Sequence, residues 1–417
     1  MLCDQRLCTG CGACSNVCDN NAIKMVYDQY GFFKAEYHAE TCTHCNRCLK
    51  VCPVINRVDL NRKLMKVYAA WSKNNNICKS SNSGGMFFSF ASEIIKNGGV
   101  VFGAKYAEDF SVYHTYVEDI VELKSLMLSK FAQSNTGSCF RLVKTFLEQN
   151  RLVLFVGSPC QISGLYSYLG RDEKNLITAQ FPCFGIPSQK FFKDYVLHIT
   201  KMLVTDIKSI GCEVQIDSKL NERYMVYISK GNKVITEPAS KSFFVNVWNS
   251  GWCQSEVCFH CKFNIFPVQA DIIWGNFWHL GEIEKFSVPK AEYSTGVSML
   301  ILNSTKAIEF YNRISDKIFA YSRKPKEAIS SHWMFQTSFD EHLVMRRYYN
   351  SAKRKSFQND LVSMDFHDLV EKYSAIIEGK RNNTLLLISK LFGKKVTALI
   401  WRLLYYYYTL KIWLKNT

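Results

Sequence analysis

The 417-residue sequence predicts an α/β protein, α+β overall, in three parts. A small cysteine-rich domain occupies 1–60, a central mixed-sheet α/β domain 64–375, and a basic, aromatic, helical tail 376–417. Three observations predict this. Two cysteine runs of identical spacing lie within the first 60 residues. From Val67 onward, apolar strand-like runs alternate with amphipathic helix-like runs for about 120 residues, the texture of an α/β sheet. The last segment changes again, to Leu, Ile, Trp and Tyr with interspersed lysines.

The totals fit this division. The length allows about two to four domains. The apolar content of 47% can fill a substantial core, and the charged fraction of 21% is not that of a disordered chain. Residues 1–20 carry cysteines and polar groups where a secretory signal would need an apolar run. The 17 cysteines are therefore read in a reducing, cytoplasmic setting, where clustered thiols bind metal more often than they form disulfides. The formal charge of +16 is uneven, with eight Lys or Arg and no Asp or Glu from Gly379 to Thr417. That imbalance favours an anionic surface. No nucleic-acid module is present, so nucleic acid is not an expected partner.

The N-terminal runs read "CTGCGACSNVC" and "CTHCNRCLKVCP", each C-x2-C-x2-C-x3-C. Three closely spaced thiolates bind corners of one iron–sulfur cube, and the fourth cysteine of each run reaches the other cube. Cys8, Cys11, Cys14 and Cys52 are thus expected to hold one [4Fe–4S] cluster, and Cys42, Cys45, Cys48 and Cys18 a second. This is the two-cluster bacterial ferredoxin pattern. Asp19 stands where proline usually follows the fourth cysteine; Pro53 keeps it in the second run. Gly10, Gly12 and Ala13 suit backbone wrapped tightly around a cube. Structural zinc also uses short cysteine spacings, but two interlocked four-thiol runs argue for iron–sulfur. Cys3 lies outside the spacing and is read as incidental.

In the central part, "VYAAWSK" predicts a strand. "SSNSGGMFFSFASEIIKNGGVVFGAKY" predicts a Ser/Gly loop, a helix from about Gly84 to Lys96, a turn and a strand. The free N–H groups of that helix start can hold a phosphate, although serines also cap helices without any ligand. "SCFRLVKTFLEQN" predicts a helix, "RLVLFVG" a strand and "PCQISGLYSYLG" a helix. "LITAQFPCFGIPS" follows as a strand ending at Cys183, then "QKFFKDYVLHIT" as helix. Strand-end loops are where such sheets place ligands, and Cys160 and Cys183 both fall there. Cys258 and Cys261 form a later C-x2-C pair. Cys160, Cys183, Cys258 and Cys261 make a four-thiol set, with Cys253 a competitor for the fourth place. A nucleophilic Cys160 at a helix start is the weaker reading, because no Cys/His arrangement supports it.

These pieces together resemble the beta subunit of coenzyme F420-reducing hydrogenases and F420-linked dehydrogenases. The resemblance spans about residues 1–305. It rests on "SSNSGG", "SKFAQSNTG", "GSPCQISGL", "PCFGIPS", the Cys258/Cys261 pair with "ADIIWGNFW", and "STGVSMLILNSTKA". It implies an FAD in the central domain, with contacts carried onto Ser83, Gly84, Gly85, Lys130, Gln133 and Ser134. It also implies a third [4Fe–4S] cluster on Cys160, Cys183, Cys258 and Cys261. Three positions depart from the family. Phe184 replaces the usual His, Asn276 the usual Asp, and Gln269 stands where an Arg is common. The first two remove titratable groups, and the third removes a fixed anion contact.

In the tail, Leu385 to Leu414 has no uncharged run longer than eight residues, too short for a spanning helix of about 20. A basic aromatic helix lying in an anionic membrane interface fits it. "SSHWMFQTSFDEHLVMRRYYN" predicts a helix, and His332 and His342 lack any ligand spacing. The expected function is an iron–sulfur flavoprotein oxidoreductase, passing electrons between an F420-like or nicotinamide partner and one-electron carriers. The alternative is a non-catalytic electron-transfer subunit. Expected partners are a ferredoxin-like carrier or a redox enzyme, and the anionic inner face of the membrane.

Overall fold

The computed structural model describes residues 3–60, 62, 66–204, 206–216, 221–278, 280–331 and 352–381. The predicted helix at 332–350 and the tail from 382 onward lie outside the described residues. The chain divides into two compact units, Met1–Val362 and Ser363–Thr417. The second is described over the helix Phe366–Arg381.

In the first 60 residues, β1 (Ile23–Tyr27) and β2 (Phe33–Tyr37) form an antiparallel hairpin with Ile23 opposite Tyr37. A short helix sits inside each cysteine run, Ala13–Val17 and Arg47–Lys50. The same turn precedes both. Gly10 and Gly12 have φ of 68° and 83°, and the equivalent His44 and Asn46 have 55° and 59°. The left-handed region is open to glycine and tolerated by Asn and His, so the second run makes the turn without glycine.

The central sheet has eight strands: β3 (Lys66–Ser72), β4 (Val100–Tyr106), β5 (Val112–Val117), β6 (Val153–Gly157), β7 (Leu176–Gln180), β11 (Ile272–Asn276), β12 (Ser298–Leu302) and β13 (Ile318–Arg323). Between them in sequence, β8 (Ile207–Ile216), β9 (Asn221–Ser229) and β10 (Val234–Pro238) form a separate antiparallel sheet. The large sheet runs β13-β3-β12-β11-β7-β6-β4-β5. β4, β6, β7 and β11 are parallel, and both flanks are antiparallel. It is a mixed sheet, as the sequence predicts.

Each sheet face carries its own apolar layer. Ala70, Leu154, Ile177, Ala179 and Leu300 pack on one side with Phe90 and Phe310 of the helices Met86–Lys96 and Thr305–Ile314. On the other side Phe102, Val153, Phe155 and Leu176 pack with Phe140, Ile162 and Leu165 of the helices Cys139–Glu148 and Pro159–Leu169. Cys11, Ala13, Val17 and Val51 belong to this second layer. The cysteine-rich domain therefore shares a core with the sheet.

A polar seam crosses that face. Asp271 is fully buried before β11 and accepts hydrogen bonds from Thr178 N (2.8 Å) and Tyr166 OH (3.0 Å). Arg62, just past the cysteine-rich domain, pairs with it at 2.8 Å and also donates to the carbonyl of Gln269. Lys306 completes the group through Asp172 at 2.6 Å. A buried charge left alone costs several kcal/mol, and here every charge has an opposite one beside it.

Candidate iron–sulfur and flavin sites

The N-terminal thiols line two pockets. Cys8, Cys11, Cys14 and Cys52 line one, together with Cys48. Cys18, Cys42, Cys45 and Cys48 line a second, of about 160 Å³. In the first, burial pushes Cys11 up to about 12, and Cys14 is raised by the same cause. Cys3, incidental by its spacing, lines the first pocket too. Its thiol interacts with those of Cys52 and Cys8. That interaction holds Cys8 down to about 6 and Cys52 to about 7.

In the central domain β6 ends at Gly157 and the helix Pro159–Leu169 begins two residues later. Ser158 caps it, with the Gln161 side chain answering in a capping box. Cys160 is thus fixed in the first turn, with Ser158 Oγ 3.2 Å from its sulfur. β7 ends at Gln180, and Cys183 follows three residues later. Cys258 closes the 3-10 turn Glu256–His260, and Cys261 comes next after that turn. Asn264 ties this loop back by donating to Cys183 O at 3.1 Å.

Cys160, Cys183, Cys258 and Cys261 lie close enough to raise one another electrostatically. Cys183 senses the other three, and Cys160 senses Cys258 and Cys261. Cys253 is buried, and of these four it senses Cys258 alone. Desolvation is the first cause throughout, pushing Cys160 up to about 12, Cys258 to about 11 and Cys183 well above its ordinary range. Four buried thiols cannot ionise together without a cation. Backbone N–H groups meanwhile point at these sulfurs: Gly185 at Cys183, Ile186 at Cys258, and Phe263 at Cys261. Such donors suit thiolates on a metal cluster. Among the described residues no group of three or more His, Cys, Asp or Glu closes around a single-ion position. A cube carries its thiolates on separate corners and asks for a wider set.

The two thiol regions adjoin. Cys11 senses Cys160 electrostatically. A Cβ on Gly164 would lie 2.9 Å from the Cys11 sulfur, so glycine there lets the Cys160 helix rest on the cysteine-rich domain.

The Ser/Gly loop docks on the sheet. Gly84 N donates to Ser298 Oγ, and Ser83 Oγ meets Val297 O and Ser298 Oγ. A Cβ at Gly84 would sit 2.4 Å from Ala70 O. The helix starts at Met86 rather than Gly84, because Gly85 takes a left-handed φ of 79° as its N-cap, and no side chain caps it. Asn82 donates to Ser129 Oγ at 2.8 Å, which draws the loop beside Lys130. The Lys130 ammonium turns inward against the carbonyls of Met127 and Leu128, 5.7 Å from the Tyr106 ring centre. Burial pushes it down to about 7.

Gln133 and Ser134 are placed differently. Gln133 Nε2 donates to Thr9 O at 3.0 Å, and its Oε1 accepts from Phe33 N at 2.7 Å. Both partners belong to the cysteine-rich domain. Nearby, Thr136 Oγ1 donates to Cys11 O, and Arg141 donates to the carbonyls of Ser15, Asn16 and Cys18 at the end of the Ala13–Val17 helix. A cation there also complements the helix dipole. Ser134 Oγ bonds His114 Nδ1. The other ring nitrogen faces Val156 O at 3.0 Å and must donate, so Nδ1 is the acceptor. Burial holds His114 down to about 4, and it is neutral at pH 7.

The model of the 4Fe-4S dicluster domain matches residues 7–56. The model of the C-terminal part of the coenzyme F420 hydrogenase/dehydrogenase beta subunit matches residues 150–327. The chain joins an iron–sulfur ferredoxin-like domain to an F420 hydrogenase/dehydrogenase beta-subunit-like domain. No curated protein matches it. One chain of the F420-reducing [NiFe] hydrogenase complex from Methanosarcina barkeri matches at 15% identity, over 71% of this chain and 92% of that chain, with a TM-score of 0.45. Among the described residues no helix is long and apolar enough to cross a membrane.

Two features, one in each domain, escape the motifs. Gln180 ends β7 fully buried, and neither amide atom has a partner. Side chains alternate along a strand. Thr178, two residues earlier, bonds Tyr166 OH of the Cys160 helix, so Gln180 faces that same side, nearer Cys160. Lys34 of β2 donates to Gln5 O and Cys8 O, and its charge is felt by both Cys8 and Cys258. Phe184 is buried near Trp248, and Gln269 donates to Val58 O. Both are packing or linker contacts.

Proposed function

We propose that the protein is an iron–sulfur flavoprotein oxidoreductase that passes electrons between an F420-like or nicotinamide partner and one-electron carriers. The observation that carries this reading is the adjacency of two thiol sets, with Cys11 resting on the helix whose first turn carries Cys160. The first two clusters sit on Cys8, Cys11, Cys14 and Cys52, and on Cys42, Cys45, Cys48 and Cys18. The third sits on Cys160, Cys183, Cys258 and Cys261. FAD, when bound, supplies the exchange between electron pairs and single electrons. Ser83, Gly84 and Gly85 offer the uncapped helix start to its phosphates, and Lys130 offers a counter-charge. Gly185, Ile186 and Phe263 direct N–H groups at the cluster sulfurs, and Gln180 places an amide on the same side.

A second reading, an electron-transfer subunit without flavin, has one observation in its favour. Gln133 and Ser134, contacts that the family resemblance assigns to flavin, are both engaged elsewhere. Assay of iron, sulfide and flavin in protein purified without oxygen separates the two. The leading reading expects about 12 Fe and one FAD per chain. About 12 Fe with no flavin selects the second. About 8 Fe with no flavin removes the central cluster as well. The electron partner is proposed as a ferredoxin-like carrier or a redox enzyme. Peripheral membrane contact through Gly379–Thr417 is proposed on charge and composition; anionic liposomes should retain the full chain better than a chain lacking that segment.

A further inference from the structure

The first thiol pocket is lined by two cysteines beyond the four a cube needs: Cys48, which also lines the second pocket and belongs to its set, and Cys3, which belongs to neither. Its position is built. Leu7 N and Cys8 N bond back to Asp4 O in a turn. Gln5 Nε2 fastens that turn to Ala35 O of β2 at 2.8 Å, and Lys34 Nζ holds Gln5 O and Cys8 O at 3.0 and 2.8 Å. Cys3 is half-buried and packs in one cluster with Cys8, Cys14, Ile23, Met25 and Ala35. Its thiol interacts with those of Cys52 and Cys8, two of the expected ligands.

We propose that Cys3 is a reserve ligand of the first iron–sulfur site, able to hold its iron in place of Cys52. Cys52 is the member of that set supplied by the distant second run. Its link to the cube therefore depends on the two runs keeping their mutual position. Cys3 is held by the same turn that presents Cys8, and stays at the site if Cys52 withdraws. The exchange is a ligand substitution. The bond from iron to Cys52 Sγ breaks and a bond from the same iron to Cys3 Sγ forms. The Cys3 thiol proton moves to the departing Cys52 sulfur along the contact already present. No electron is transferred, so no oxidant or reductant is needed.

The inference rests on the ligand set proposed above, and the test separates the two. Full-length Cys3→Ala, Cys52→Ala and the double variant are reconstituted without oxygen, then assayed for iron and sulfide and by electron paramagnetic resonance after reduction. Wild type, Cys3→Ala and Cys52→Ala should each hold about 12 Fe, and the double variant about 8. The Cys52→Ala spectrum should show one cluster signal shifted, because its ligand has changed. Unshifted signals from the remaining clusters report that the double variant has folded. Cys52→Ala falling to about 8 Fe with Cys3 in place overturns the reserve-ligand role and leaves the ligand set standing. A double variant that still holds about 12 Fe overturns the assignment of Cys52 itself, and the inference with it.

Discussion

The sulfur of Cys11 lies 2.9 Å from the point where a side chain on Gly164 would begin. Nothing wider than a hydrogen atom fits there between the dicluster domain and the helix Pro159–Leu169, whose first turn carries Cys160. Gly164→Ala should therefore separate them, at about 1–3 kcal/mol for overpacking. We expect a lower urea midpoint and slower electron passage from the first cluster to the proposed central one, with iron content unchanged.

Asp271→Asn should be among the most damaging single changes, because it removes the fully buried carboxylate and leaves Arg62 with only the partly exposed Asp172, at 3.0 Å. The expected loss is about 3–5 kcal/mol. Replacing Arg62 and Asp271 together by leucine should recover part of it, since two matched charges are then removed at once. Urea unfolding of the single and double variants measures the difference.

Gln133→Leu leaves Thr9 O and Phe33 N without their bonds, at about 1–3 kcal/mol for each buried group. The dicluster domain should become more sensitive to limited proteolysis. Bound flavin should stay the same if Gln133 is a strut, and should fall if Gln133 touches the cofactor.

Lys130 gives a pH dependence whose sign follows from burial. With the site empty its ammonium is pushed down to about 7. An anionic phosphate nearby raises it, so just above pH 7 binding takes up a proton. Flavin affinity should tighten up to tenfold for each unit the pH falls through that window, and level off below it. Lys130→Gln should weaken binding and flatten the profile. Equilibrium dialysis across pH reads both.

The fourth central ligand can be resolved by iron counts. Cys183→Ala should lower iron by about 4 per chain. Cys253→Ala should lower none, because Cys253 senses only Cys258 of the set.

Local spacing carries most of what the sequence discloses. The two cysteine runs and the strand–helix alternation are short-range patterns, and both appear in the fold. The distant companions of a motif are not legible. Cys3 looks incidental in the sequence because its role is set by a turn that folds it onto Cys8. Gln133 sits inside a segment that resembles a flavin contact, yet its partners Thr9 and Phe33 lie 124 and 100 residues away in sequence. Gln180 ends an ordinary apolar strand, and only the alternation of β7 shows which side it faces. The sheet formed by β8 to β10 escapes a sequence reading because it lies outside the strand–helix alternation.

Lys34 carries one further consequence. Its cation is held by two carbonyls and is felt by both Cys8 and Cys258. A fixed charge shared by the first cluster site and the proposed central one moves their potentials in the same direction. The step between the centres keeps its height while both shift relative to any outside carrier. Neutralising Lys34 would therefore alter which external molecules can exchange electrons with the chain, and leave the internal ladder nearly level with its former self.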